Sequence, residues 1–447
     1  MTSRSTASSS TELADRRESP AEQPRDPSRR QFFRAFGRQT VSGAGKVIRA
    51  ADQLRRGSAS AASELLGLGV RDPVTSAARL ERRVLEEASE VEARDLESQG
   101  ITPETENQGF RSPYLFRGDS LLLLDQREPM ESGATVECRA ASEVAAAITA
   151  GVAGGGPVLA QVAAYGLLLA SVGSVERPRP ARRAAFQAAA NTLRMARPAA
   201  RSVGWAVERM NGRWEQAIDL QAAEALGQLR TEADQIALQS ATDNARLGQH
   251  GAGELARLAE GPLTLLAHGD MGPLAGGLVG TGFAVVQSAL SAGREVHVWL
   301  TEAAPGLEGR RLAAPQLAQA EVEHTVIPDS AVGWLFAERR LDALLLRPDL
   351  VCANGDSAAL LGSLSAARLA AAAGVPVYAC APTLVVEPAL AEGDAIPRSR
   401  GEPELDVLPA ELIDAFVTEA GVLRAPYAAS LSAALAPRSD TARPEAG

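Results

Sequence analysis

Aromatic residues make up only 4% of this 447-residue chain, so its core has to be built from Ala, Leu and Val. Cysteines are nearly as scarce. Cys138, Cys352 and Cys380 share no metal-ligand or disulfide spacing, and a sparse, odd-numbered set fits a reducing compartment. Four histidines, no two at ligand spacing, give no grounds for a metal site. Nor does any run approach the roughly 20 apolar residues of a membrane span. The longest apolar stretches, 158–170 and 279–290, are interrupted by Gly, Gln and Ser and predict buried helices. A cytoplasmic protein with no membrane span and no cofactor is expected.

What is present is ordinary for a globular protein, 45% hydrophobic and 22% charged residues, but the charge is unevenly placed. Residues 1–58 hold twelve Lys and Arg against six Asp and Glu, a balance of +6 that leaves −16 for the rest of the net −10. A basic arm of this kind suits acidic partners or simple solvation. The acidic body argues against nucleic-acid binding. The stretch Ser28-Arg29-Arg30-Gln31-Phe32-Phe33 has the look of a twin-arginine export signal, but Arg34, Arg38 and Lys46 interrupt the apolar run it would need. No export is expected.

Composition divides the chain into five stretches. Residues 1–28 are Ser-, Pro- and charge-rich and predict disorder. Residues 29–98 predict a charged helical extension. Within it Ala77, Leu80, Val84, Ala88 and Val91 recur at helical spacing, which suits a docking or dimer-forming helix and equally a helix packed on its own domain. Strands at 121–125 and 135–138 and an Ala-rich helical run to about 255 predict a mainly helical subdomain over 113–255. Beyond Pro262 the texture changes. Short apolar runs at 263–267, 296–300, 322–327, 343–346 and 375–380 alternate with helical segments, the signature of a doubly wound parallel sheet over 256–427. Residues 428–447, rich in Ala and Pro, predict a disordered tail. The fold class is thus α/β, a helical N-terminal subdomain followed by a Rossmann-like doubly wound sheet.

In an open α/β sheet, polar residues beyond the C-terminal strand ends line the ligand crevice. Asp329, Asp349, Asn354 and Asp356 fall at such places, and so do the glycines after the first strand, in His268-Gly269-Asp270-Met271-Gly272. Asp329 and Asp356 are also candidates for helix N-caps.

The run Ala353-Asn354-Gly355-Asp356 behind Asp349 resembles the family of methylthioribose-1-phosphate isomerase and the α, β and δ subunits of translation initiation factor 2B. So do Val136-Glu137-Cys138, Ala163-Ala164-Tyr165-Gly166, Arg197-Pro198, Gly248-Gln249-His250-Gly251-Ala252 and the closing Gly421-Val422-Leu423-Arg424-Ala425-Pro426-Tyr427. The likeness runs in order over residues 113–427. It implies an aldose–ketose isomerase in which a cysteine and an aspartate move protons between adjacent sugar carbons. The aspartate position is Asp349, which persists. The cysteine position is Gly269, which has no proton to give. A phosphate-binding arginine position is Gly154, beside Gly155 of the substrate loop, whereas the second phosphate arginine, Arg197, remains. A glutamine position reads Glu308 and an asparagine–lysine pair reads Ala359-Leu360. Cys352 and Cys380 are the thiols left to stand in for the lost cysteine.

These departures imply a non-catalytic descendant that binds a small, sugar-phosphate-like ligand or a protein partner, with a homodimer expected. The alternative is a working isomerase on methylthioribose-1-phosphate or a related substrate, using Asp349 with Asp329, Asn354 and Asp356 around the sugar. A regulatory role like that of the initiation-factor subunits is a third reading, resting on shared fold alone.

Overall fold

The computed structural model describes residues 113–338, 341–397 and 405–436. The predicted tail 1–28 and helical extension 29–98 lie outside them. Tyr114–Phe116 (β1), Leu121–Leu124 (β2) and Thr135–Cys138 (β3) form a three-stranded antiparallel sheet. Five helices follow: Ala141–Thr149 (α1), Gly156–Val172 (α2), Arg179–Ala196 (α3), Arg201–Ala217 (α4) and Ala222–Leu255 (α5). Helix α2 is apolar nearly all round, as a central helix has to be, and almost every residue in it is buried. Around it pack Leu121 and Leu123 of β2, Phe186, Met210 and Ile236. Phe186 stacks on Trp214 at 4.8 Å between ring centroids.

The chain then alternates strand and helix: Leu263–Ala267 (β4), Gly282–Ser291 (α6), Val296–Thr301 (β5), Ala314–Gln319 (α7), Glu323–Ile327 (β6), Val332–Glu338 (α8) and Ala343–Leu346 (β7). Next come Pro348–Cys352 (β8), Ser357–Leu360 (β9), Ser363–Ala373 (α9), Val377–Cys380 (β10), Val386–Glu387 (β11), Leu405–Leu408 (β12), Ala415–Thr418 (β13), Gly421–Leu423 (β14) and Tyr427–Leu435 (α10). One seven-stranded sheet runs in the order β14-β13-β10-β7-β4-β5-β6, parallel except for the antiparallel edge strand β14. Its strands are apolar on both faces. Leu265 of β4 packs with Val285 of α6 and Leu247 of α5, while its neighbour Leu266 packs with Leu335 of α8 and Ala367 of α9. Burial on both faces is what a parallel sheet flanked by helices requires.

A small mixed sheet, β11-β8-β9-β12, follows directly on β7 and was not expected. Asp349, expected in a loop, lies inside its strand β8. The tail expected to be disordered from residue 428 is instead helical to Leu435. Tyr427 and Leu431 are buried there, and the Tyr427 ring packs edge-on against Phe416. No described helix is long and apolar enough to cross a membrane.

Candidate functional site

Strand β4 ends at Ala267, His268 follows, and the chain turns at Gly269 with φ +80°, a conformation that disfavours any side chain. A Cβ built at residue 269 would stand 2.6 Å from Cδ2 of Leu360, at the end of β9. Leu360 is held firmly in place. Its strand pairs with β12, and the Asp406 carboxylate of β12 accepts from the Gly362 and Leu364 amides at 2.8 and 2.9 Å. His268 fastens the same corner. Its Nε2 donates to the Leu361 carbonyl at 2.8 Å, which leaves Nδ1 to accept from the Thr301 hydroxyl at 2.8 Å. Burial depresses the His268 pKa, so the ring is neutral. The spot from which a side chain at 269 would emerge is therefore covered by Leu360.

Asp349 sits on β8, 5% exposed, with one oxygen engaged by the Arg347 guanidinium. Arg347, itself buried, also donates from Nε to the Asp270 carbonyl at 2.8 Å. Its burial disfavours the charged form, but Asp349, Glu308 and Asp270 outweigh that and hold the guanidinium cationic. Asp270 is fully buried. Its Oδ1 accepts from the Gly272 amide and from Gln316 Nε2, both at 2.9 Å, whereas Oδ2 has no hydrogen-bond partner among the described residues. Burial lifts its carboxyl to about 6, and the negative charge of Glu308 pushes the same way, against the Gly272 amide, Arg347 and Gln316. Arg347, Asp270 and Gln316 were not singled out in the sequence. The signal was available, since Asp270 and Arg347 lie just past the ends of β4 and β7.

Glu308 and Arg197 line an open cleft of about 470 Å³ between the helical part and the parallel sheet. Gln126, Gly154 and Arg311 share its wall. Gln126 occupies the side of Gly154, accepting from its amide at 3.0 Å and donating to the Leu274 carbonyl at 2.8 Å. Gly155, φ +88°, caps α2 so closely that a Cβ there would meet Ala275 at 2.5 Å. Its role in this structure is this close approach. Arg311 donates to the Gly306 and Gln126 carbonyls, each at 2.8 Å, and so joins the two walls.

The other predicted residues are engaged by backbone groups. Asp329 accepts from the Ala303 and Ala304 amides at 2.9 and 2.7 Å, bracing the loop that leads to Glu308. Asn354 and Asp356 shape the β8–β9 turn, and Asp356 also accepts from the Gly393 and Ala410 amides at 2.9 and 2.8 Å. These amide donors and Asn354 hold its carboxyl below the usual range despite burial, which pushes the other way. Neither aspartate acts as a side-chain N-cap, and neither is close-paired with Asp349. The spare thiols are remote from any nucleophilic role. Burial pushes Cys352 up to about 11 and Cys380 up to about 12, and Cys352 lies among Leu350, Ala358 and Ile396.

A helical half leading into a parallel sheet, with polar side chains gathered past the strand ends, defines an open α/β protein whose candidate site lies on the sheet's C-terminal rim. The chain belongs to the initiation factor 2 subunit family, whose model matches residues 160–405. It is 32% identical over 341 residues to methylthioribose-1-phosphate isomerase of Caldicellulosiruptor saccharolyticus, covering 71% of this chain and 98% of that protein. With the Synechococcus enzyme of the same name it shares 33% over 348 residues, covering 72% and 99%. Among solved structures, 5-methylthioribose 1-phosphate isomerase of Pyrococcus horikoshii superposes with a TM-score of 0.65 at 26% identity, covering 74% of this chain and 98% of that one. The delta subunit of initiation factor eIF-2B from A. fulgidus gives 0.61 at 25% identity, covering 72% and 98%.

Proposed function

We propose that this chain is a member of the isomerase branch that no longer interconverts aldose and ketose phosphates and instead binds a small molecule in the inherited cleft, as a homodimer. The observation that carries this is the pairing of Gly269 with Leu360. The inherited chemistry needs two groups on the sugar, one to carry a proton from one carbon to the next and one to handle the hydroxyls. At the first position there is no side chain, and Leu360 occupies the space where one would stand. The second group, Asp349, is engaged by Arg347. No described cysteine replaces the missing thiol, since burial holds each of them far from the thiolate form.

Phosphate affinity declines for related reasons. Gly154 offers no cation, and Glu308 sets a carboxylate where a phosphate would need donors. Each lost charge-assisted hydrogen bond weakens binding by about 1.5–3 kcal/mol.

A second reading keeps an active aldose–ketose isomerase working through Asp349. Its support is the retained aspartate together with identity that spans nearly the whole length of the isomerases. Incubation of the purified chain with methylthioribose-1-phosphate separates the two. No ketose phosphate is expected to form, and steady ketose production would establish the second reading.

A further inference from the structure

At the sheet's C-terminal rim, Arg347 serves two buried acids at once. One end of its guanidinium holds Asp349, while its Nε donates to the backbone carbonyl of Asp270 at 2.8 Å. The Asp270 side chain is fixed in direction, because the Gly272 amide and Gln316 both donate to Oδ1. Its Oδ2 is buried with no hydrogen-bond partner among the described residues. The charged groups around it come from three places in the chain. Arg347, just past β7, favours the ionised carboxyl, and Glu308, ahead of α7, opposes it. Asp349 on β8 competes for the same guanidinium, which Asp349, Glu308 and Asp270 all hold cationic. His268, two residues before Asp270, is neutral. A protonated Asp270 makes no claim on Arg347. An ionised Asp270 is a buried charge with an empty-handed oxygen, costly until a donor turns to it.

We infer that Arg347 is a proton-governed switch: while Asp270 carries a proton the guanidinium holds Asp349, and when Asp270 ionises the guanidinium turns to Oδ2 and releases Asp349. The described arrangement, Arg347 on Asp349 and Oδ2 without a donor, is the first of these states. Burial, helped by Glu308, lifts the Asp270 carboxyl to about 6. The changeover therefore falls between roughly pH 5 and 7, with Asp349 held on the acid side and released on the alkaline side. Below it the inherited aspartate is cancelled by a guanidinium, and above it a ligand meets an uncompensated carboxylate. The inference rests on the ligand-binding reading above and adds a regulation to that site. Release of Asp349 supplies nothing at Gly269, where Leu360 still covers the space.

Carbon-13 labelling of the aspartate carboxyls in the full chain, followed by NMR across a pH titration, tests this with no ligand present. The Asp270 signal is expected to titrate with its midpoint near 6, and the Asp349 signal to step at that same midpoint. Asp270→Asn should abolish the Asp349 step, because the amide never ionises. Glu308→Gln removes a charge that opposes ionisation of Asp270, so both signals should shift together to a lower midpoint. Crystals of the full chain at pH 5 and pH 8 should show the guanidinium on Asp349 in the first and on Asp270 Oδ2 in the second. An Asp349 signal that stays still at the Asp270 midpoint overturns the switch, as does a step that survives Asp270→Asn. A guanidinium on Asp349 in both crystals overturns it equally. None of these readings involves ketose formation or ligand binding, so the switch can fail while the proposed function stands, and the reverse.

Discussion

Two residues carry the proposed loss of the inherited chemistry. Gly269 has a backbone that side chains avoid, and Leu360 covers the space above it. Placing Ala at 269 is expected to lower stability by about 1–2 kcal/mol, from the left-handed backbone and the crowding together. Adding Leu360→Ala should recover the crowding part and leave the backbone part, a non-additivity that a double-mutant cycle in urea measures. Strictly additive losses would mean that the two side chains do not meet.

Asp270 makes a prediction with a definite sign. Its folded pKa of about 6 exceeds the ordinary 3.8, so the folded state favours the protonated carboxyl. Its contribution is therefore most stabilising below the unfolded value, and it declines as pH rises from about 4 to 6. At pH 8 the shift corresponds to roughly 3 kcal/mol of lost stability. Asp270→Asn should unfold at higher denaturant than the parent at pH 8 and show little gain near pH 4. Equal gains at both pH values would contradict the assignment of the shift to Asp270.

At the level of elements, strands and helices were legible wherever periodicity and burial agreed. Runs 263–267 and 343–346 became β4 and β7 unaltered, because a strand apolar on both faces has few alternatives between turns. The β8–β9 hairpin was hidden because 349–356 reads as a polar loop, although its polar side chains satisfy neighbouring amides. Helix α10 was hidden by its Ala-rich composition, and only the anchoring of Tyr427 and Leu431 distinguishes it from a tail. Among the site residues, Asp349 and Glu308 could be found from their places beyond strands or by resemblance. The bracing roles of Asp329 and Asp356 could not, since they depend on amides 26 and 54 residues away. Asp356→Ala should cost about 1–3 kcal/mol by leaving buried donors unpaired. It should also accelerate amide exchange at Gly393 and Ala410, and unchanged protection there would show that another group holds that loop.

Across the whole molecule, the family scaffold is kept, and under the proposed reading the chemistry at its rim is redistributed. The core around α2 and the two faces of the parallel sheet are packed without a visible concession to the altered site. The changes lie at strand ends and in the cleft wall, where substitution costs little stability and alters function most. They share a direction. Under the proposed reading the proton carrier is missing, a phosphate cation is missing, and Glu308 stands where a glutamine was expected.

The most direct test of lost catalysis looks for the first proton transfer instead of the finished product. Methylthioribose-1-phosphate is incubated with the full chain in heavy water, and its sugar carbons are followed by NMR. The account predicts no deuterium at C1 or C2 and no ketose signal beyond the rate without protein. Deuterium entering at either carbon would show that Asp349 or another group still abstracts the proton, and would contradict the central claim.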